Sequence, residues 1–220
     1  MPIQPSTLEF LSKLKKNNNK EWFDKNRPQY EIAKKDFQAF VAELITASAK
    51  FDPAIKMLEV KNCVFRINRD IRFSNDKTPY KRNFAASIAP GGKKSLLAGT
   101  YLHIEPGGSF LAGGVWQPPA PELAAIRQEI DYNAPEFRKI IGNKEFKKYF
   151  GTLSDEDKVK TAPKGYDKSH PDIEMLKLKS FIVVHDLKDK DVLSKDFLKH
   201  TTDVFKAMYP FNVFLRRAMD

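Results

Sequence analysis

Two Pro-Gly-Gly tripeptides, Pro90-Gly91-Gly92 and Pro106-Gly107-Gly108, constrain the fold of this 220-residue chain more than any other feature. They punctuate strand-like runs at 83–89, 100–105 and 109–116, the last ending at Trp116. Proline followed by two glycines reverses a chain within a few residues, so runs joined this way lie side by side in opposite directions. No helical pattern separates them, which predicts an antiparallel sheet. Gly113-Gly114 within the third run predicts a bulge, or a place where another backbone or a ligand comes close. A fourth apolar run, 180–185, predicts one more strand, mostly buried and ending at a structural His185.

Helical periodicity flanks this region. Ser6 and Glu9 have the spacing of a capping box ahead of Leu8, Leu11 and Leu14. Trp22 and Phe23 open a second segment that tolerates Pro28 in a first turn. It continues through Tyr30, Ala33, Phe37, Phe40, Val41, Leu44 and Ile45, three and four residues apart, and Asp52-Pro53 ends it. After Pro118 the pattern predicts helices over 122–130, 135–141, 144–150 and 171–178, with 151–170 irregular. A last helix from Ser194 through Phe197, Val204, Phe205 and Met208 is expected to break at Pro210, with 211–219 completing the chain. The prediction is a single α+β domain over residues 1–220, a mainly antiparallel sheet flanked by N-terminal and C-terminal helices.

The 17 Phe and 41% apolar content can fill a substantial core. A lone Cys63 forms no internal disulfide and indicates a reducing compartment. Nothing near the N-terminus resembles a signal peptide, and no run reaches the roughly 20 apolar residues that cross a bilayer. The expectation is a soluble cytoplasmic protein with no membrane partner.

The formal charge is +10, and its distribution is uneven. Between Lys61 and Lys94 nine basic residues face two acidic ones, which places +7 of the +10 within 34 residues. A local excess of this kind focuses a positive potential attractive to phosphate, carboxylate or nucleic acid. At its centre, 65–73 alternates. Phe65, Ile67, Ile71 and Phe73 share one face and Arg66, Asn68, Asp70 and Arg72 the other, with Arg69 among the apolar residues, which predicts a half-buried strand. A polar turn closed by Thr78-Pro79 follows.

Other motifs fail on their spacing. Gly92-Lys93-Lys94-Ser95 lacks the first glycine of a phosphate loop. His103-Ile104-Glu105 begins a zinc deaminase signature, but the Pro-Cys-x-x-Cys element is missing. The four histidines, at 103, 170, 185 and 200, are scattered and predict no metal centre. Cys63, beside Val64 and Phe65, is a buried small hydrophobe rather than a nucleophile. Tyr101, His103 and Glu105 share one face of their strand, as the solvent side of a sheet also would.

The surviving candidates for ligand binding are Arg66, Asn68, Arg69, Arg72, Asp76, Lys77, Tyr80 and Lys81, with Tyr101, Trp116 and Arg127 as wall residues and Asp70 or His103 as proton carriers. Guanidinium groups grip phosphate or carboxylate with two parallel hydrogen bonds. Three readings stay open. The cluster holds an anionic small molecule in a basic cleft, with or without catalysis; or it binds nucleic acid, with Tyr80, Tyr101 and Trp116 stacking on bases. In the third it is an internal ion-pair lattice, Asp70 held between Arg69 and Arg72 and Arg69 paired with a buried acid such as Glu105.

The run Arg66-Ile67-Asn68-Arg69-Asp70-Ile71-Arg72-Phe73-Ser74-x-Asp76-Lys77-Thr78-Pro79-Tyr80-Lys81 resembles the signature of the domain of unknown function 2461 family. The likeness continues through Tyr101-x-His103-x-Glu105-Pro106, Gly113-Gly114-x-Trp116, Ile126-Arg127, Pro163-x-Gly165-Tyr166, His170-Pro171 and Leu176-Lys177-x-Lys179-Ser180. It covers most of the chain. The resemblance implies an α+β fold and brings no activity, substrate, cofactor or catalytic residue with it.

Overall fold

A computed structural model describes residues 1–219. The N-terminal helices are α1 (Pro5–Lys16), α2 (Lys20–Lys25) and α3 (Arg27–Ser48), followed by the short α4 (Val60–Cys63). The expected capping box is not what starts α1. Pro5 occupies the first turn and Gln4 caps without its side chain. The orphan donors go instead to another helix, the Gln4 amide and the Thr7 hydroxyl donating to Asp36 Oδ2 of α3 at 2.9 and 2.6 Å. The three-and-four spacing of α3 buries Phe37, Phe40, Val41 and Leu44 as expected.

Four strands, β1 (Phe84–Ile88), β2 (Gly99–Ile104), β3 (Ser109–Val115) and β4 (Phe181–Leu187), form one antiparallel sheet in the order 1-2-3-4. The register pairs Ala86 with Leu102, Leu102 with Leu111, and Leu111 with His185, so these positions share one face. That inner face is covered by α3 and by α10 (Phe197–Arg217). The Phe37 and Phe84 rings are centred 5.4 Å apart, and those of Phe40 and Phe197 4.8 Å apart. Each buried ring contributes about 1.5–3 kcal/mol. Between β3 and β4 the chain forms α5 (Ala120–Tyr132), α6 (Ala134–Ile141), α7 (Lys144–Phe150) and α8 (Ile173–Leu176). The short α9 (Asp189–Val192) precedes α10.

The close approach expected at Gly113-Gly114 is present. A Cβ on Gly113 would strike the Met208 thioether of α10, and one on Gly114, whose φ is +111°, would strike the Phe181 carbonyl.

Two expectations require correction. α10 runs through Pro210 without a break. Proline in a helix interior costs about 3 kcal/mol, but continuing the helix buries Phe211 and Phe214 against Phe137 and Phe146. Burial of two rings, about 3–6 kcal/mol together, offsets that cost.

The second correction concerns 65–73, which is not a strand. It is an irregular arm with isolated bridges at Val64–Ala86 and Asn68–Tyr80. Ile67 is buried, while Phe73 is 94% exposed, so the two do not share a covered face. The cause is Arg69. Its guanidinium donates to Asp76 Oδ2 at 2.6 Å, to the Thr78 carbonyl at 3.1 Å and to the Ser74 hydroxyl at 3.3 Å. These bonds curl 70–78 into a closed loop, an alternative to ladder pairing that polar side chains readily offer.

Candidate functional site

With α3 and α10 on the inner face, the outer face of the sheet stays partly open, Val184 being exposed. Alternation on β2 and β3 sends Tyr101, His103, Phe110 and Ala112 to that outer face, and β4 adds Val184. The arm at 64–69 extends the sheet past β1, with the Phe65 amide donating to the Ala85 carbonyl at 3.0 Å. This places the Phe65 ring 6.2 Å from that of Tyr101. The 90–98 loop contributes Leu96, and the segment after β3 contributes Trp116, 69% exposed. All of these except His103, which lies beside it behind Tyr101 and Phe110, border a groove of about 650 Å³.

The groove is predominantly apolar, and Glu156 is the one carboxylate in its wall among the described residues. Its aromatic row continues from Tyr101 to Phe110, 5.8 Å centre to centre, and Phe110 stacks on the His103 imidazole at 4.5 Å and 15°.

Beyond Tyr101 the outer face becomes polar. His103 Nε2 lies 3.4 Å from Glu105 Oε2, and its Nδ1 is 3.4 Å from both the Tyr101 hydroxyl and the Asn83 amide nitrogen. Lys15 of α1 closes the row, donating to Glu105 Oε1 at 3.3 Å. Two donors converging on Nδ1 make it the acceptor and leave the hydrogen on Nε2, directed at the carboxylate. Burial lowers the His103 pKa against the opposing pull of Glu105, and burial raises that of Tyr101. With its acceptor nitrogen engaged by Tyr101 and Asn83, the neutral imidazole is placed to take a proton from the Tyr101 hydroxyl, with Glu105 behind it.

The structure disperses the basic cluster. Arg69 is spent on the 70–78 loop, and Asp76 with it: the Thr78 amide and hydroxyl, then Arg69, hold the Asp76 carboxyl down to about 2. Arg72 is paired with Asp70 at 2.7 Å, which lowers the Asp70 pKa and removes that carboxylate as a free base. Asp70 thus lies against Arg72 and not between two arginines, and Glu105 meets Lys15 and His103 rather than Arg69. Lys77 donates to the Ile71 carbonyl at 3.1 Å. Asn68 bridges to Tyr80 through the backbone and is exposed. Tyr80 is 6% exposed and stacks on Phe23 at 3.9 Å, so it faces the core and not a ligand. Arg127 lies on α5 away from the groove and donates to the Leu178 carbonyl at 3.0 Å.

Within 61–94, four cations have side chains with no hydrogen bond or ion pair among the described residues: Arg66, Lys81, Arg82 and Lys94. Lys81 is the one tied to the groove. Its ammonium lies 5.2 Å from the centre of the Phe65 ring, in the groove wall. Burial, then the neighbouring Arg66, lower its pKa.

The structure brings the sequence candidates Tyr101 and Trp116 together in one groove, with His103 beside it, and adds Phe65, Asn83, Leu96, Phe110 and Val184, which the sequence pattern does not single out. Phe110 was within reach, because it stands opposite His103 in the hairpin register. Phe65 was assigned to a buried strand face, and Leu96 sits in a loop without periodicity. The histidines are also less scattered than expected, for His185 and His200 meet. Among the described residues no group of three or more His, Cys, Asp or Glu side chains is placed to hold a metal ion. None of their helices is long and apolar enough to cross a membrane.

A family model described as "Conserved hypothetical protein (DUF2461)" matches residues 6–214. No curated protein and no solved structure matches the chain.

Proposed function

Taking as premise that the chain belongs to the DUF2461 family of conserved hypothetical proteins, we propose that it binds a small molecule with a flat, unsaturated body and a phosphate or carboxylate group. The body lies along Phe65, Tyr101 and Trp116, and the anion meets Lys81 and Arg66 at the groove rim. The observation that carries this reading is Lys81, a half-buried ammonium against the groove wall with no carboxylate to neutralise it. A cation desolvated without a partner is costly, and an incoming anion offsets that cost. His103, with Glu105 behind it, is the candidate base if the bound molecule reacts, acting through the hydroxyl of Tyr101, which lines the groove.

A thermal-shift panel of nucleotides, aromatic carboxylates and sugar phosphates tests the proposal. A ligand at one hundred times its dissociation constant stabilises by about 2.7 kcal/mol. Aromatic anions are expected to shift the transition more than sugar phosphates do, and Lys81→Met is expected to remove the shift. No shift anywhere in the panel, or an undiminished one in Lys81→Met, overturns it.

The exposed Trp116 ring favours one further reading, stacking of single-stranded nucleic acid along the same aromatic row. Oligonucleotide binding that weakens steeply with salt would support it, and oligonucleotides that fail to bind at low salt would remove it.

A further inference from the structure

On the opposite side of the sheet, His185 of β4 and His200 of α10 bring their Nε2 atoms to 3.2 Å. His185 Nδ1 lies 3.0 Å from the Tyr149 carbonyl oxygen. A carbonyl accepts and never donates, so the ring hydrogen of His185 sits on Nδ1 and its Nε2 presents a lone pair. Anchoring one imidazole nitrogen on a carbonyl while the other is left as a donor atom is how metal-binding histidines are usually oriented. The Tyr149 ring stands edge-on to both imidazoles, 5.5 Å from His185 and 6.2 Å from His200, and limits their rotation.

The ring geometry carries the argument further. Two imidazoles hydrogen-bonded head-on at this nitrogen separation would have centres roughly 5.5 Å apart. Nitrogens about 2.0–2.1 Å from a shared tetrahedral ion set the nitrogens about 3.3 Å apart and the ring centres about 5.2 Å apart. The observed ring centres are 5.2 Å apart, the separation of an ion-bridged pair rather than of a head-on one.

We propose that His185 and His200 form a two-imidazole site for a divalent transition-metal ion of the copper, nickel or zinc class, with water completing its coordination. Neither Asp191 nor Asp203, the acids that act on His200, joins as a ligand. Asp191 accepts from the Lys188 amide, and Asp203 is paired with Lys199 at 2.7 Å. Their charge still favours a cation nearby. In the metal-free pair His200 Nε2 donates its hydrogen to His185. On binding, that proton leaves to solvent and His200 takes one up at Nδ1, which has no partner among the described residues, so the exchange is neutral in protons.

The test is calorimetric titration of the full chain with Cu²⁺, Ni²⁺ and Zn²⁺ salts. One equivalent of each is expected to bind, copper most tightly. His200→Gln is expected to weaken binding at least ~10-fold, whereas His170→Gln leaves it unchanged, because both nitrogens of His170 are already engaged by Asp131 and the Asp172 amide. In the unmodified protein, Ni²⁺ is expected to broaden the ring resonances of His185 and His200 first, a readout that survives if the variant misfolds. No saturable binding, undiminished binding in His200→Gln, or first broadening at His103 would overturn the proposal.

Discussion

Arg216 and Asp52 stand 164 positions apart in the chain and meet in a two-pronged ion pair, Nη1 to Oδ1 at 2.9 Å and Nη2 to Oδ2 at 2.7 Å. Their side chains are 11% and 8% exposed, and Arg216 Nε also donates to the Ala98 carbonyl. The pair ties the end of α10 to the turn after α3 and to the loop that leads into β2. Removing one member of a buried pair strands the other's charge, which costs about 3–5 kcal/mol. Arg216→Ala is expected to lose that much in urea unfolding. Arg217→Ala, which breaks more exposed pairs with Glu129 and Glu136, is expected to lose about 1 kcal/mol or less. Equal losses in the two variants would contradict the assignment.

Lys81 and Lys77 provide a matched pair for ligand binding. Lys81 sits over Phe65, a residue of the groove wall, and Lys77 is turned to a backbone carbonyl in the 70–78 loop. Lys81→Met is expected to weaken an aromatic anion about tenfold or more, the scale of one charge-assisted contact, and Lys77→Met to leave it unchanged. Burial and Arg66 already depress the Lys81 pKa. The ammonium form that holds an anion is therefore present below that depressed value and lost as pH rises through it. Affinity measured by calorimetry should fall on the alkaline side at a lower pH than an ordinary lysine, near 10.5, would give.

The 70–78 loop should open in acid. The Asp76 carboxyl, held at about 2 against an ordinary 3.8, supports the loop above the higher value and stops supporting it as pH falls through the lower one. The Thr78 amide donates to Asp76 Oδ1 at 2.9 Å, so its hydrogen exchange reports the event. Protection lost between these two pH values, and already missing in Asp76→Asn and Arg69→Ala at neutral pH, is the expected result. A Thr78 amide equally protected in all three proteins would refute it.

Adjacent glycines should respond differently to the same methyl group. In Gly113→Ala the obstacle is the flexible end of Met208, and repacking should cost about 1–3 kcal/mol. In Gly114→Ala the obstacle is the Phe181 carbonyl in the β3–β4 ladder, and the residue must also keep a φ of +111°. Backbone strain adds to the collision, so Gly114→Ala should be the less stable of the two by about 1 kcal/mol or more, read from denaturant midpoints.

Where side chains act locally, the sequence is a faithful guide. The spacing of Phe37, Phe40, Val41 and Leu44 specifies α3, and Pro106-Gly107-Gly108 specifies the β2–β3 hairpin. Legibility fails where a distant partner decides. Alternation at 65–73 reads as a strand because nothing nearby reveals that Arg69 will close a loop on Asp76 and Thr78. Tyr80 reads as a binding residue until Phe23, from α2, stacks on it. Pro210 reads as a break because the rings that reward continuing α10 come from α6 and α7. The candidate site follows the same division. Tyr101 and His103 are visible as one strand face, whereas Phe65 and Lys81 reach it through an arm whose course only tertiary contacts define.

The packing of α3 and α10 on one face of the sheet has a corollary for how the other face can vary. Neighbouring positions of β2 are held differently: Leu102 and Ile104 are anchored by the core, while Tyr101 lines the groove and His103 sits beside it. A substitution at Tyr101 therefore reshapes the groove without touching the core that Leu102 and Ile104 hold, so the wall can vary while the scaffold stays.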